Sequence, residues 1–559
     1  MSYEPAPTYP LAGGEVEIGF GALAAALERR RPRVLAIDGP ATLDWESAVA
    51  KLEQAGAAFD TVDVRRFLVA AAELEQYTVS ALLAGDSVFA RVAGCSLADL
   101  FDDLPGELSS TADLTVVFGP GSSLVPHDAL WYFDEPKRIG LAAVRAGTAA
   151  TLGRPPGLPD AERNLCFVDW PVLDAHKRLL AAGIDRYADL SDPAQPRSIA
   201  GDVLRRTLAE LAGRPFRTRP TFLPGPWGGQ WLRGKLGIPS EAANLAWSYE
   251  LIAPDAGVLL GAGEQIEQIE VGFEWLLAAR AEAILGAEVA ERFGTSFPIR
   301  FDYLDTLGGG HLSIQCHPTA AYMSEVFGLP YTQDETYYVV ETSPGATIFL
   351  GLREDADLNA FRADAERAAT TGIPFEPERY LQRHAAEQHR LYAIPAGTPH
   401  ASGAGNAVLE VSATPYLYTL RFYDWLRRDL EGKLRPVHLD HAFANLDPER
   451  RGGAVARELI REPSTVRGGE GWVELDLGTP AELFYAVHRL DFEEEVEEET
   501  GGRFHVVGLV AGEEVVVESS SAAHPLSFAE TLVIPAAVGR YRVRRVRGGA
   551  CKLVKAFVR

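Results

Sequence analysis

Cysteine is scarce. Cys95, Cys166, Cys316 and Cys551 are scattered over 559 residues with no CxxC spacing, which excludes a disulfide framework and a thiolate zinc site. Positive charge is short as well. The 53 Lys and Arg residues against 78 Asp and Glu give a formal net charge of −25, and phosphate backbones need a basic footprint, so no nucleic-acid partner is expected. No apolar run reaches the roughly 18 residues of a membrane-spanning helix. The first residues lack a basic stretch followed by an apolar one, so neither a secretory signal nor a membrane partner is expected and the expected compartment is the cytoplasm. A nucleotide-binding loop is missing too. Gly39-Pro40-Ala41-Thr42-Leu43-Asp44-Trp45-Glu46 lacks the second glycine and the lysine that cradle phosphates, and places two acids where phosphates would lie.

What is present is a chain of 60.6 kDa, too long for one core, with 47% hydrophobic and 23% charged residues, as in folded globular proteins. The first part alternates. Strands are expected at 34–37, 59–64, 114–119 and 165–170, with helices at 20–31 and 45–55, which predicts a doubly wound α/β domain over residues 1–215. The Pro- and Arg-rich stretch 192–221 marks its end. A helix is expected around 266–285. From about residue 297 onward, short strands separated by glycine turns predict an all-β architecture, interrupted by a helical insertion at 357–388. An internal repeat divides it. Tyr337-Tyr338-Val339-Val340 with the later Ile394-Pro395-Ala396 loop matches Phe504-His505-Val506-Val507 with Ile534-Pro535-Ala536, which predicts two related β-barrels, 216–445 and 446–559. This alignment sets Gly502 against Glu335 and Arg540 against His400, so only the first barrel keeps metal ligands.

Those ligands come from three segments. Leu312-Ser313-Ile314-Gln315-Cys316-His317 alternates as a strand, so Gln315 and His317 share one face and Cys316 points the other way, into the core. Glu335 begins the strand Thr336 to Val340, and His400 ends Ile394-Pro395-Ala396-Gly397-Thr398-Pro399-His400. Two imidazoles, one carboxylate and one amide oxygen form a borderline N/O donor set that suits zinc, with room left for water or substrate.

The segments PGPWGGQWL, LSIQCHP, QDETYYVVE, IPAGTPHASGAG and YTLRFYDW resemble class I phosphomannose isomerases, in family order, over residues 216–559. The resemblance implies a double-cupin metalloenzyme that interconverts mannose 6-phosphate and fructose 6-phosphate through a cis-enediolate. It implies one divalent metal per chain, usually zinc, held by Gln315, His317, Glu335 and His400, and an active-site arginine at Arg421. A small sugar phosphate is the expected partner. The chain departs from the family at Gln333, where a lysine is usual. Lys433 and Arg435 are candidates for the missing charge, and a water on the metal, Asp334 or His311 for the base. The departure keeps an alternative open, a non-catalytic sugar-phosphate-binding metal cupin with a regulatory α/β domain. The first 215 residues, with Phe167-Val168-Asp169-Trp170 and His176-Lys177-Arg178, resemble a uridine-kinase-type domain of the P-loop class whose catalytic loop is gone.

Overall fold

The computed structural model describes residues 3–70, 73, 75–77, 81–106, 108, 112–261 and 267–559. Its N-terminal part is built on a seven-stranded sheet in the order Glu17–Ile18, Arg197–Ala200, Arg186–Asp189, Ala129–Asp134, Val34–Asp38, Thr115–Phe118, Asp60–Asp63. The last five run parallel. Alternation sorts their side chains between two cores. Leu35, Ile37, Trp131 and Phe133 pack beneath the helices Gly19–Arg30 and Trp45–Gln54. Ala36, Leu130 and Tyr132 face a second core shared with the helices Gly201–Leu211 and Phe273–Leu285.

That shared core continues into the β region, so the boundary near residue 215 is no free linker. Phe216 and Val533 exchange backbone hydrogen bonds of 3.0 and 2.8 Å. Arg138 forks onto Glu270 with two contacts of 2.6 Å. Lys177, buried, reaches Glu274 at 2.7 Å. Paired charges removed from water fix the register of the two layers more than they stabilise them.

The first barrel packs a six-stranded sheet (Leu391–Ile394, Glu335–Thr342, Asn406–Ala413, Ile299–Asp305, Trp247–Leu251, Thr221–Leu223) against a five-stranded one (Leu381–Ala385, Thr347–Leu352, His400–Ser402, Ile314–Cys316, Leu420–Tyr423). The second repeats the plan with sheets of six and four strands between Ser464 and Val558. Each has its own apolar interior.

Four expectations are corrected. Residues 165–170 are helical. A wide turn over Leu165–Asp169 closes with the Trp170 N–H on the Leu165 carbonyl and leads into the helix Trp170–Leu180. Short buried apolar runs do not distinguish strand from helix. Here Pro171 has no N–H for the Phe167 carbonyl, and Ala93 donates to it instead at 2.8 Å. The helix expected at 266–285 is a strand, Gln268–Gly272, followed by the helix Phe273–Leu285; residue 266 lies outside the described residues. The insertion at 357–388 is helical only at Leu358–Thr371 and a short turn, Pro377–Arg379, before the strand Leu381–Ala385. The repeat holds with a different register. Glu335 pairs with Ile394 and His505 pairs with Ile534, so the second-barrel counterpart of Glu335 is His505 rather than Gly502.

Candidate metal centre and its cavity

Backbone pairing brings the ligands together. On adjacent strands, Gln315 stands opposite both Arg421 and His400, which puts the three side chains in one row. His317 follows directly after its strand, and Glu335 opens its own in the facing sheet. The His317 Nε2 lies 2.5 Å and the His400 Nε2 3.1 Å from Glu335 Oε2. The rings are 5.1 Å apart between centroids, and all three residues are buried.

The donor atoms of His317, Glu335 and His400 all lie within 4.8 Å of one another. Each imidazole turns its Nδ1 to a backbone carbonyl, His317 to Tyr418 at 3.3 Å and His400 to Thr398 at 2.9 Å. That fixes the tautomer with Nε2 free to bind inward, the second-layer arrangement of a metal-ligating histidine. Burial raises the pKa of Glu335, but the two imidazoles outweigh it and hold the carboxyl well below its usual range. Burial also lowers His317, against the pull of Glu335. A divalent cation needs the carboxylate ionised and each Nε2 without a proton, and the Nδ1 contacts to backbone carbonyls leave both rings able to supply that state. The residues therefore fit a metal. Gln315 Nε2 sits 3.4 Å from His400 Nε2 while its oxygen accepts from Ser313 Oγ at 2.7 Å; turning the amide over would aim the oxygen at the same centre and keep the Ser313 contact.

The cluster opens into a cavity of about 670 Å³. Arg421 lines it, with Nε buried and unpaired among the described residues. Burial and the neighbouring Arg435 lower its pKa to about 10. His438 lies beside it, lowered to about 3 by burial and by Arg421. The α/β domain forms part of the wall through Phe89, Arg138, Arg145, Cys166 and Trp170. Phe89 packs edge-on against His438, centroids 4.9 Å apart.

Three proposed substrate contacts lie away from this cavity. His311 accepts from the Ala404 N–H at 2.9 Å and packs its ring against Trp425 and Phe349. Asp334 accepts from the Ala396 N–H at 3.0 Å, bracing the loop that carries His400. Lys433 is 76% exposed and pairs with Glu431 at 2.8 Å. Arg435 does line the cavity, but its charge is engaged by Asp424 at 2.6 Å.

Other residues of the wall escaped sequence reasoning. Arg300, Asp302 and Glu410 line the cavity. Arg300 donates to Ser412 Oγ at 2.5 Å and pairs closely with Glu410. With its amide oriented to satisfy both ends, Gln333 accepts from Arg300 Nη2 at 3.0 Å and donates to the Pro415 carbonyl at 2.7 Å. Charges alternating with aromatics in Arg300-Phe301-Asp302-Tyr303 were the available signal. An isolated strand does not show which of its faces is buried.

Comparison with known proteins gives two kinds of likeness. A family profile described as a domain of unknown function (DUF8485) matches residues 19–213. Part of the chain resembles mannose-6-phosphate isomerases. The enzyme of Streptococcus mutans is 27% identical over 223 residues, 39% of this chain and 63% of the relative. Mannose-6-phosphate isomerase ManA of Bacillus subtilis is 26% identical over 258 residues, 45% of this chain and 75% of the relative. The solved mannose 6-phosphate isomerase from Bacillus subtilis aligns with a TM-score of 0.49 at 21% identity, covering 61% of this chain and 99% of that one. A zinc-bound mannose 6-phosphate isomerase structure aligns at 0.47 and 18% identity, covering 62% and 100%.

Proposed function

We propose that this chain is a metal-dependent aldose–ketose isomerase interconverting mannose 6-phosphate and fructose 6-phosphate through a cis-enediolate. The observation that carries the reading is the convergence of the buried His317, Glu335 and His400 on one point beside a cavity that also holds Arg421, whose Nε has no hydrogen-bond partner among the described residues. The curated relatives' named activity agrees with it. Gln315 would complete a four-donor set, and zinc bound there would polarise the sugar carbonyl and stabilise charge developing on its oxygens.

The chain's own residues supply the rest. Arg421 stands next to Gln315 in the ladder and offers a fixed, forked charge to the oxygens that become negative. Burial of that guanidinium strengthens the interaction, because less water screens it. His438, kept neutral, accepts from the Arg421 backbone N–H at 3.2 Å and holds its strand in place.

The α/β domain, residues 1–215, is in this reading a non-catalytic wall of the cleft. Its parallel strand order supports kinship with a nucleotide-kinase sheet, and the anion site such a sheet would offer is already filled. The Asp38 carboxylate, at the end of the central strand, accepts from the Gly121 and Ser123 N–H groups at 3.0 and 3.1 Å, from Ser123 Oγ at 2.5 Å and from His176 at 3.0 Å. A carboxylate there takes the donors that a phosphate would use.

Elemental analysis of the purified chain, with turnover measured on a panel of sugar phosphates, tests the proposal. One divalent metal per chain and chelation-sensitive turnover of mannose 6-phosphate are expected. Binding without turnover would replace the isomerase by a sugar-phosphate sensor, and full activity after stringent metal removal would refute the mechanism.

A further inference from the structure

We propose that Asp302 is the catalytic base that carries the proton between C1 and C2 of the sugar, an inference that rests on the isomerase reading above. Asp302 is buried and lines the metal cavity. Its carboxylate accepts no hydrogen bond among the described residues, and Oδ1 is fully enclosed with only the longer ion pair to Arg300 beside it. The nearest cation is Arg300, at 3.6 Å from Nε. A buried carboxylate without donors is costly and is retained where it has work to do.

The other carboxylates near the centre are engaged. Glu335 belongs to the two histidines. Glu410 pairs with Arg300 and accepts from Ser412 Oγ at 2.8 Å. Asp334 braces the His400 loop.

Ladder register places Asp302 at working distance. Ser412 is the cross-strand partner of both Glu335 and Arg300, and Glu410 is the partner of both Tyr337 and Asp302. Asp302 therefore lies two strands across and two residues along from Glu335, on the same inward face. Two strand spacings combined with two residues along the strand separate the two backbone positions by about 11–12 Å, and side chains reaching inward from both sides leave room for the C1–C2 unit of an open-chain sugar. Arg300 is a positioning residue, held by Ser412, Glu410 and Gln333 and holding Asp302 in turn.

The step balances without a co-reactant. The Asp302 carboxylate takes the proton from C2 of the aldose, the C–H electron pair becomes the C1=C2 bond, and the carbonyl electron pair moves onto O1. The carboxylic acid, whose proton exchanges with solvent in the interval, then protonates C1 while the O2–H proton passes to O1 and C2 becomes the carbonyl carbon.

The test uses the full chain as purified, with Asp302→Asn and Asp302→Glu. For Asp302→Asn, kcat on mannose 6-phosphate should fall by about 10²–10⁴-fold, with KM and metal content unchanged. Deuterium from D₂O should enter C1 and C2 of the sugar with wild type and not with the variant. Added formate should restore part of the turnover. Should Asp302→Asn not fold, Asp302→Glu decides: the misplaced carboxylate should lower kcat at least about tenfold while hydrogen exchange persists. Wild-type kcat and exchange in Asp302→Asn, or wild-type kcat in Asp302→Glu, would overturn the assignment of Asp302 alone. A metal-loaded wild type that turns over no mannose 6-phosphate would overturn the isomerase reading, and this inference with it.

Discussion

The two barrels repeat one plan, yet they close their interiors in opposite ways. In the first, the strand that opens at Glu335 and pairs with Ile394 leads to two imidazoles and one carboxylate, with no Lys or Arg within ion-pair distance of that carboxylate among the described residues. In the second, the strand that opens at His505 and pairs with Ile534 borders a closed ion cluster. Lys555 lies 2.7 Å from both Glu474 and Glu498, Arg467 bridges the same two carboxylates, and His488 reaches Glu474 at 2.7 Å. His505 bonds to the Tyr541 hydroxyl at 2.8 Å. One barrel leaves a charge deficit at its centre and the other cancels its charges internally. A scaffold of this kind becomes a cation site where the chain omits its own cation.

The sharpest way to break the comparison is His400→Ala. Metal content should fall from one per chain to near zero, and isomerase turnover by at least about 10³-fold, the several kcal/mol that a Lewis-acid metal supplies. Elemental analysis beside the coupled assay measures both. Metal retained in the variant would place the ion elsewhere. The mirror experiment is Lys555→Met, which removes the second barrel's internal cation. Two buried carboxylates would then share one half-exposed arginine, and unfolding in denaturant should show a loss of about 3 kcal/mol, with metal content untouched. Gain of a divalent ion at that site would show the two interiors to be closer than the present contrast implies.

The contrast also bears on what could be read from the chain alone. His317, Glu335 and His400 were legible because each sits beside a marker of backbone geometry: strict alternation, a strand start, a Gly-Thr-Pro turn. The register of the second barrel was not. Aligning Tyr337-Tyr338 with Phe504-His505 matched hydrophobic strings, whereas hydrogen-bond pairing aligns Glu335 with His505, a shift of three residues that side-chain pattern cannot resolve in a fully buried strand. Leu165 to Trp170 failed for a related reason, being apolar at every position but Asp169 and decided by the proline after it. Asp302 was hidden because its role depends on strands more than a hundred residues further on. Lys433, by contrast, was drawn into the site by its charge alone.

Smaller effects separate the barrels by pH. Burial, with Lys555 adding to it, lowers His505 to about 3. Its unfolded value is about 6.5. Above that pH both states are neutral and the residue has no effect. As pH falls below 6.5 the unfolded chain takes up a proton that the folded chain refuses, so stability declines toward the folded value. Between pH 6.5 and 4.5 the loss is about 2–3 kcal/mol. Denaturation midpoints of wild type and His505→Gln across that range should converge as the pH drops. A parallel decline in both would assign the acid sensitivity to the other histidines that burial lowers, His438 to about 3 and His389 and His524 to about 4.

The smallest expected effect sharpens the comparison by marking where the first barrel's site ends. Lys433 carries a charge of the sign a sugar phosphate needs, but it stands in an exposed turn paired with Glu431. An exposed pair of this kind contributes little, because solvent and salt screen its field within a Debye length. Lys433→Ala should therefore change kcat/KM for mannose 6-phosphate by less than about twofold, with the denaturation midpoint unchanged. A KM rise of tenfold or more would mean that the turn folds over the cavity mouth when substrate is bound. Lys433 would then anchor the phosphate while Arg421 serves the reacting oxygens, and the first barrel's site would extend to its rim.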